Sequence, residues 1–86
     1  MRYLLKLFVT GSVQENRRVI GSLKLIEEQL GEECESSVIN VLEQPALAEE
    51  EKIIATPTLI RYWPLPITKV IGDLADIKKA VAQIKL

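Results

Sequence analysis

Histidine is missing from this sequence and cysteine occurs once, at Cys34. One thiol and no imidazole exclude a disulfide framework within the chain, a Cys/His metal cluster and any catalysis that depends on histidine. Aromatic residues make up only 5% of the chain, and the formal net charge is −1 with no basic stripe. Nucleic-acid binding rests on phosphate neutralisation and base stacking by such a stripe and an aromatic ladder, neither of which the sequence offers, so no nucleic-acid partner is expected. Long apolar runs are also absent: each is interrupted well short of the roughly 20 residues a membrane-spanning helix needs. Met1-Arg2 leads directly into a strand pattern rather than a secretory leader, so a cytoplasmic location is expected.

What is present reads as one folded domain over residues 1–86. Apolar residues make up 48% and charged residues 27% of the 86, a balance that disordered chains do not have. A domain of this size buries roughly 60–65% of the surface its unfolded chain exposes, which is enough for a two-layer core but not for a deep pocket around a large cofactor. No cofactor is expected.

Tyr3-Leu4-Leu5-Lys6-Leu7-Phe8-Val9 is a short apolar run of strand formers, the pattern of a central strand covered on both faces. Ser12-Val13-Gln14-Glu15 fits a capping box that starts a helix, in which Ser12 and Glu15 would each satisfy the other's backbone amide. Val19, Ile20, Leu23, Ile26 and Leu30 recur at helical spacing, and Gly31 is placed to end the helix in a left-handed cap. The polar stretch Glu32–Ser36 reads as a connector to a second strand, Ser37–Leu42, parallel to the first because it follows a helical crossover. Pro45 suits the first turn of a short helix running to about Ile54. Thr58–Tyr62 and Ile67–Ile71 flank Trp63-Pro64-Leu65-Pro66 as an antiparallel hairpin. A last helix follows, with Asp73 as N-cap, Leu74, Ile77, Val81 and Ile84 on its apolar face, and Lys78, Lys79 and Lys85 towards its negative end. The order strand, helix, strand, helix, strand, strand, helix is that of an α/β thioredoxin-like fold with a mixed four-stranded sheet.

Redox enzymes of that fold place a Cys-x-x-Cys where the first strand meets the first helix, because helix amides stabilise a thiolate. Thr10-Gly11-Ser12-Val13-Gln14-Glu15 contains no sulfur, Ser12 has no neighbouring base and serves as a cap, and Cys34 reads as a small apolar filler. The chain is therefore not expected to be an enzyme. Thr56-Pro57-Thr58 stands where this fold keeps a cis-proline, although a trans proline that ends the preceding helix fits the same residues. Glu49-Glu50-Glu51 reads as the wet face of its helix, with an acidic docking patch or a weak cation site as the alternative. Trp63 is either an exposed anchor for a partner or a lid on the core.

Three blocks carry a family resemblance: Leu5–Gly11, Val38–Leu59 and Val70–Leu74. Together they resemble the KaiB family of circadian clock proteins across nearly the whole chain, with the homologous sensor domain of the SasA clock kinase as the nearest alternative. The resemblance implies a non-enzymatic regulator that binds the ATPase ring of KaiC, modulates its phosphorylation cycle, and so loaded acts on KaiA and on clock histidine kinases. It places Ala48, Glu50 and Lys52 on the KaiC-binding surface. It also implies fold switching, in which a tetramer with a different C-terminal half gives way to a thioredoxin-like monomer, with Thr56, Pro57, Gly72 and Asp73 bordering the half that rearranges. Two segments depart from the family pattern. The first loop has Ser12-Val13-Gln14-Glu15-Asn16 in place of Asn-Thr-Pro-Asn-Ser, and the chain ends Gln83-Ile84-Lys85-Leu86 in place of Gly-Leu-Asp-Leu. Glutamine for a helix-interior glycine favours helix by about 0.5–1 kcal/mol, so the thioredoxin-like monomer is the expected resting form.

Overall fold

The computed structural model describes residues 2–31 and 33–85. Met1, Glu32 and Leu86, assigned above to the first strand's approach, the connector and the end of the last helix, lie outside the described residues. The elements are β1 (Arg2–Val9), α1 (Arg17–Leu30), β2 (Glu33–Asn40), α2 (Pro45–Glu50), β3 (Thr58–Trp63), β4 (Thr68–Ile71) and α3 (Ile77–Lys85). Their order is the expected one. The sheet runs β2-β1-β3-β4, with β1 and β2 parallel, β3 antiparallel to β1, and β4 antiparallel to β3.

Strand alternation divides the core in two. Tyr3, Leu5, Leu7 and Val9 of β1 and Leu59 of β3 pack against the apolar stripes of α1 (Val19, Leu23, Ile26, Leu30) and α3 (Ala80, Val81, Ile84). Phe8, Ile39 and Ile60 face the other way, towards Leu47 and Ile53 at α2. No residue of α2 itself is fully buried, so this second layer is thin. It covers only the end of the sheet where β1 and β2 finish.

Several boundaries differ from the sequence reading, each for a local reason. The Ser12–Glu15 capping box forms, with the Ser12 amide donating to Glu15 Oε1 at 2.9 Å and the Glu15 amide donating to Ser12 Oγ at 3.1 Å. It closes a single turn, however, and α1 starts only at Arg17. β2 begins at Glu33, so Cys34 is a half-buried strand residue rather than part of a connector, and the strand stops at Asn40 rather than Leu42. β4 starts at Thr68 and leaves Ile67 in the turn. α3 starts at Ile77 because Asp76, not Asp73, accepts a helix amide (Lys79 N, 3.1 Å). That puts Lys78 and Lys79 in its first turn and leaves Lys85 alone at the negative end. The Thr56–Pro57, Trp63–Pro64 and Leu65–Pro66 peptide bonds are cis.

The capping box holds its carboxylate over Gly11, where a Cβ would lie 2.8 Å from Glu15 Oε1 and φ is +100°. The hydrogen bonds from Ser12 hold the Glu15 carboxyl below its ordinary value. Charged Glu15 therefore supports the fold at any pH above the ordinary carboxylate range, and that support is lost as pH falls through the lowered value. A Glu15→Gln variant keeps an acceptor for the Ser12 amide but does not titrate. Its loss of melting temperature between about pH 6 and about pH 3 is expected to be smaller than the parent's, and equal losses in thermal scans would show that the box does not contribute.

Candidate functional site: the α2 end and the Pro57 junction

The loops at the ends of β1 and β2 are tied by one side chain. Asn40 Oδ1 accepts from the amides of Gly11 and Leu42, each at 3.0 Å, and Asn40 Nδ2 donates to Glu43 at 3.2 Å. Thr10 Oγ1 and Thr56 Oγ1 share a hydrogen bond of 2.7 Å, linking the end of β1 to the segment before β3. Thr10, Ala48, Glu49, Ile53, Ala55 and Thr56 then line a shallow groove of about 500 Å³ between α2 and that segment. Ile54, on its rim, is 88% exposed.

α2 ends in a way its sequence does not announce. Its sequence pattern runs to about Ile54, yet Lys52 adopts φ +56°, the left-handed conformation usually left to glycine. The Ile53 amide donates to the Ala48 carbonyl at 2.9 Å and the Lys52 amide to the Glu49 carbonyl at 3.0 Å. These two bonds form a Schellman motif. Its usual apolar contact is supplied by Leu47 and Ile53 in the same cluster. Lys69 Nζ donates to the Glu51 carbonyl at 2.7 Å and so holds the helix end from β4. Of the three residues assigned to partner binding, Ala48 is half-buried on the groove, while Glu50 and Lys52 are exposed. The reversal at Lys52 turns its side chain out of the helical register.

The four residues assigned to the rearranging half come together as a junction. The Gly72 amide donates to the Pro57 carbonyl at 3.0 Å. Pro57 and Asp73 line a second cavity, of about 260 Å³, with Glu15, Asn16 and Val19. Asp73 Oδ1 accepts from the Ala75 amide at 3.0 Å, and Gly72 has φ +126°. Thr56 sits on the α2 side of this junction, so the groove and the second cavity flank the Pro57 loop.

Neighbouring groups complete the surface. Lys6 Nζ lies 5.0 Å from the centre of the Tyr62 ring. Burial, together with the nearby Glu51 carboxylate, holds the Tyr62 phenol well above its ordinary value. Among the described residues its buried hydroxyl has no hydrogen-bond partner within normal distance, so Glu51 acts on it as a charge. Trp63 is 52% exposed, which makes it a surface residue rather than a lid. Among the described residues no cluster of three or more His, Cys, Asp or Glu is arranged to hold a metal ion, and no helix is long and apolar enough to cross a membrane. The sequence reading does not single out Asn40; an asparagine ahead of the Val41-Leu42-Glu43-Gln44-Pro45 segment is the available signal.

A family model described as the KaiB domain matches residues 6–85. The chain belongs to the KaiB family. Among curated relatives, circadian clock protein KaiB3 of Synechocystis sp. is 41% identical over 81 residues, covering 93% of this chain and 79% of the relative. The circadian clock oscillator protein KaiB of Gloeothece citriformis is 45% identical over 85 residues, covering 98% and 80%. Among solved structures, the N-terminal domain of SasA from Synechococcus elongatus superposes with a TM-score of 0.76 at 25% identity, covering 96% of this chain and 79% of that one. Chloroplastic thioredoxin z superposes with a TM-score of 0.66 at 21% identity, covering 98% and 79%, a likeness of fold alone. This KaiB-family chain is thus thioredoxin-like in architecture.

Proposed function

We propose that this chain is a non-catalytic, clock-type regulatory adaptor that binds the ATPase ring of a KaiC-like protein through the C-terminal end of α2 and modulates its phosphorylation cycle. The observation that carries the reading is the Schellman turn, which sets exposed Glu50 and Lys52 at a fixed helix end in a chain whose relatives are named circadian clock proteins. A fixed helix end gives a partner little conformational freedom to freeze on binding. KaiA and clock histidine kinases are the further partners of the loaded complex. The acting form is a cytoplasmic monomer. Thr56, Pro57, Gly72 and Asp73, joined through the Pro57–Gly72 bond, form the hinge of any rearranged C-terminal half. The fold shared with the SasA N-terminal domain favours one second reading, a KaiB-like sensor domain of a kinase, and a kinase segment in the encoding gene would decide for it.

Binding to a KaiC-type ring, measured by titration with Lys52 variants, tests the proposal. Lys52→Glu reverses the charge and is expected to weaken binding about tenfold or more, since a like-charge juxtaposition costs more than a lost surface contact. Lys52→Gly removes the charge but suits the left-handed turn, so it is expected to raise the melting temperature while still weakening binding. Unchanged affinity in both variants, with folds intact by circular dichroism, would overturn the assignment of α2.

A further inference from the structure

Arg61 is the least expected residue in the interior. It lies on β3, its residue is only 1% exposed, and among the described residues no carboxylate forms an ion pair with it. Oxygens from two separate parts of the chain take the place of a counter-charge. One is the Ile84 carbonyl in the last turn of α3. The others are the Pro66 carbonyl at 2.7 Å and Thr68 Oγ1 at 2.9 Å, both in the β3–β4 hairpin. Among the described residues its Nε has no partner. A buried cation tolerates little further loss of hydrogen bonds, because nothing in a dry interior replaces them.

We infer that Arg61 is a latch that makes the last turn of α3 and the tip of the β3–β4 hairpin release as one unit. If α3 lifts alone, the guanidinium keeps its hairpin oxygens but loses the carbonyl at the negative end of a helix, where aligned peptide dipoles favour a cation. If the hairpin tip lifts alone, the cation loses its other two acceptors. When both lift, water reaches all of its donors at once, so joint opening is the cheapest way to break any one of the contacts. Lys85, the other cation at that helix end, is exposed and does not substitute for it.

Native-state hydrogen exchange on the full chain tests this, using the α3 amides that exchange faster than the slowest α1 amides and therefore report local opening. Thr68→Val removes one acceptor in the hairpin. It is expected to speed exchange of those α3 amides about tenfold, the factor corresponding to one hydrogen bond to a charged group, and to speed the β4 amides equally. Thr68→Ser keeps the hydroxyl and is expected to leave both groups near the parent rate. In an Arg61→Met background the same Thr68→Val change should no longer reach α3. Acceleration confined to β4, or equal effects of Val and Ser on α3, would overturn the latch. The two Thr68 variants decide this even if Arg61→Met does not fold.

Discussion

Replacing Phe8 by alanine is expected to cost about 3–5 kcal/mol, the usual range for a fully buried phenylalanine. Domains of this kind have about 5–15 kcal/mol in total. Phe8 is 0% exposed and, with Ile39 and Ile60, makes up the buried part of the layer beneath α2. The other face of the sheet has α1 and α3 to share such a loss, whereas this face has only a six-residue helix with no fully buried side chain. A cavity here is filled only if α2 sinks or detaches. The melting temperature should fall by about 15 °C or more, and affinity for a KaiC-like ring should fall with it because the helix end loses its support. Phe8→Leu, which keeps most of the volume, should cost well under half as much. Similar small losses for both variants would mean that α2 is held by something other than this cluster.

The second large effect concerns Leu74, and its sign distinguishes two descriptions of the chain. Leu74 is 5% exposed and joins the α1/α3 core, so Leu74→Ala should cost about 2–5 kcal/mol. Its φ is +61°, a conformation that costs a residue with a Cβ roughly 1–2 kcal/mol. Leu74→Gly removes the same side chain but relieves that cost, against about 0.5–1 kcal/mol of added chain entropy. The glycine variant should therefore be as stable as the alanine variant or somewhat more so. Were Leu74 the first residue of a helix capped by Asp73, the order would reverse, since glycine is worse than alanine in a helix by about 1 kcal/mol. Chemical denaturation of the two variants separates the cases.

Leu74 also shows where the sequence was legible and where it was not. Element order and sheet composition follow from short apolar runs bounded by turn residues and from helical spacing, and Val19, Leu23, Ile26 and Leu30 of α1 are buried as their spacing requires. Ser12 and Glu15 pair as their types dictate. Asp73 and Asp76 are both good caps, three residues apart, and the apolar pattern suits either start; the docking of Leu74 into the core decides between them. α2 ends early because Lys52 takes a conformation that the pattern would have assigned to glycine. β2 starts early because Glu33, Glu35, Ser36 and Ser37 lie on an exposed edge strand, where strand residues need not be apolar. Nothing in the sequence singles out Arg61 as an interior residue, since arginine is almost never fully buried. Its environment is assembled by residues 66, 68 and 84, which no local window contains.

The partner surface was placed by family resemblance rather than by residue pattern, and it is where the account is most exposed. Titrating a KaiC-type ATPase ring into the isotopically labelled chain, with backbone resonances assigned, reads every residue at once. The account predicts that the signals of Ala48, Glu50 and Lys52 shift or broaden first, while those along the solvent face of α1 stay in place. Perturbations centred on α1, with α2 unaffected, would contradict it.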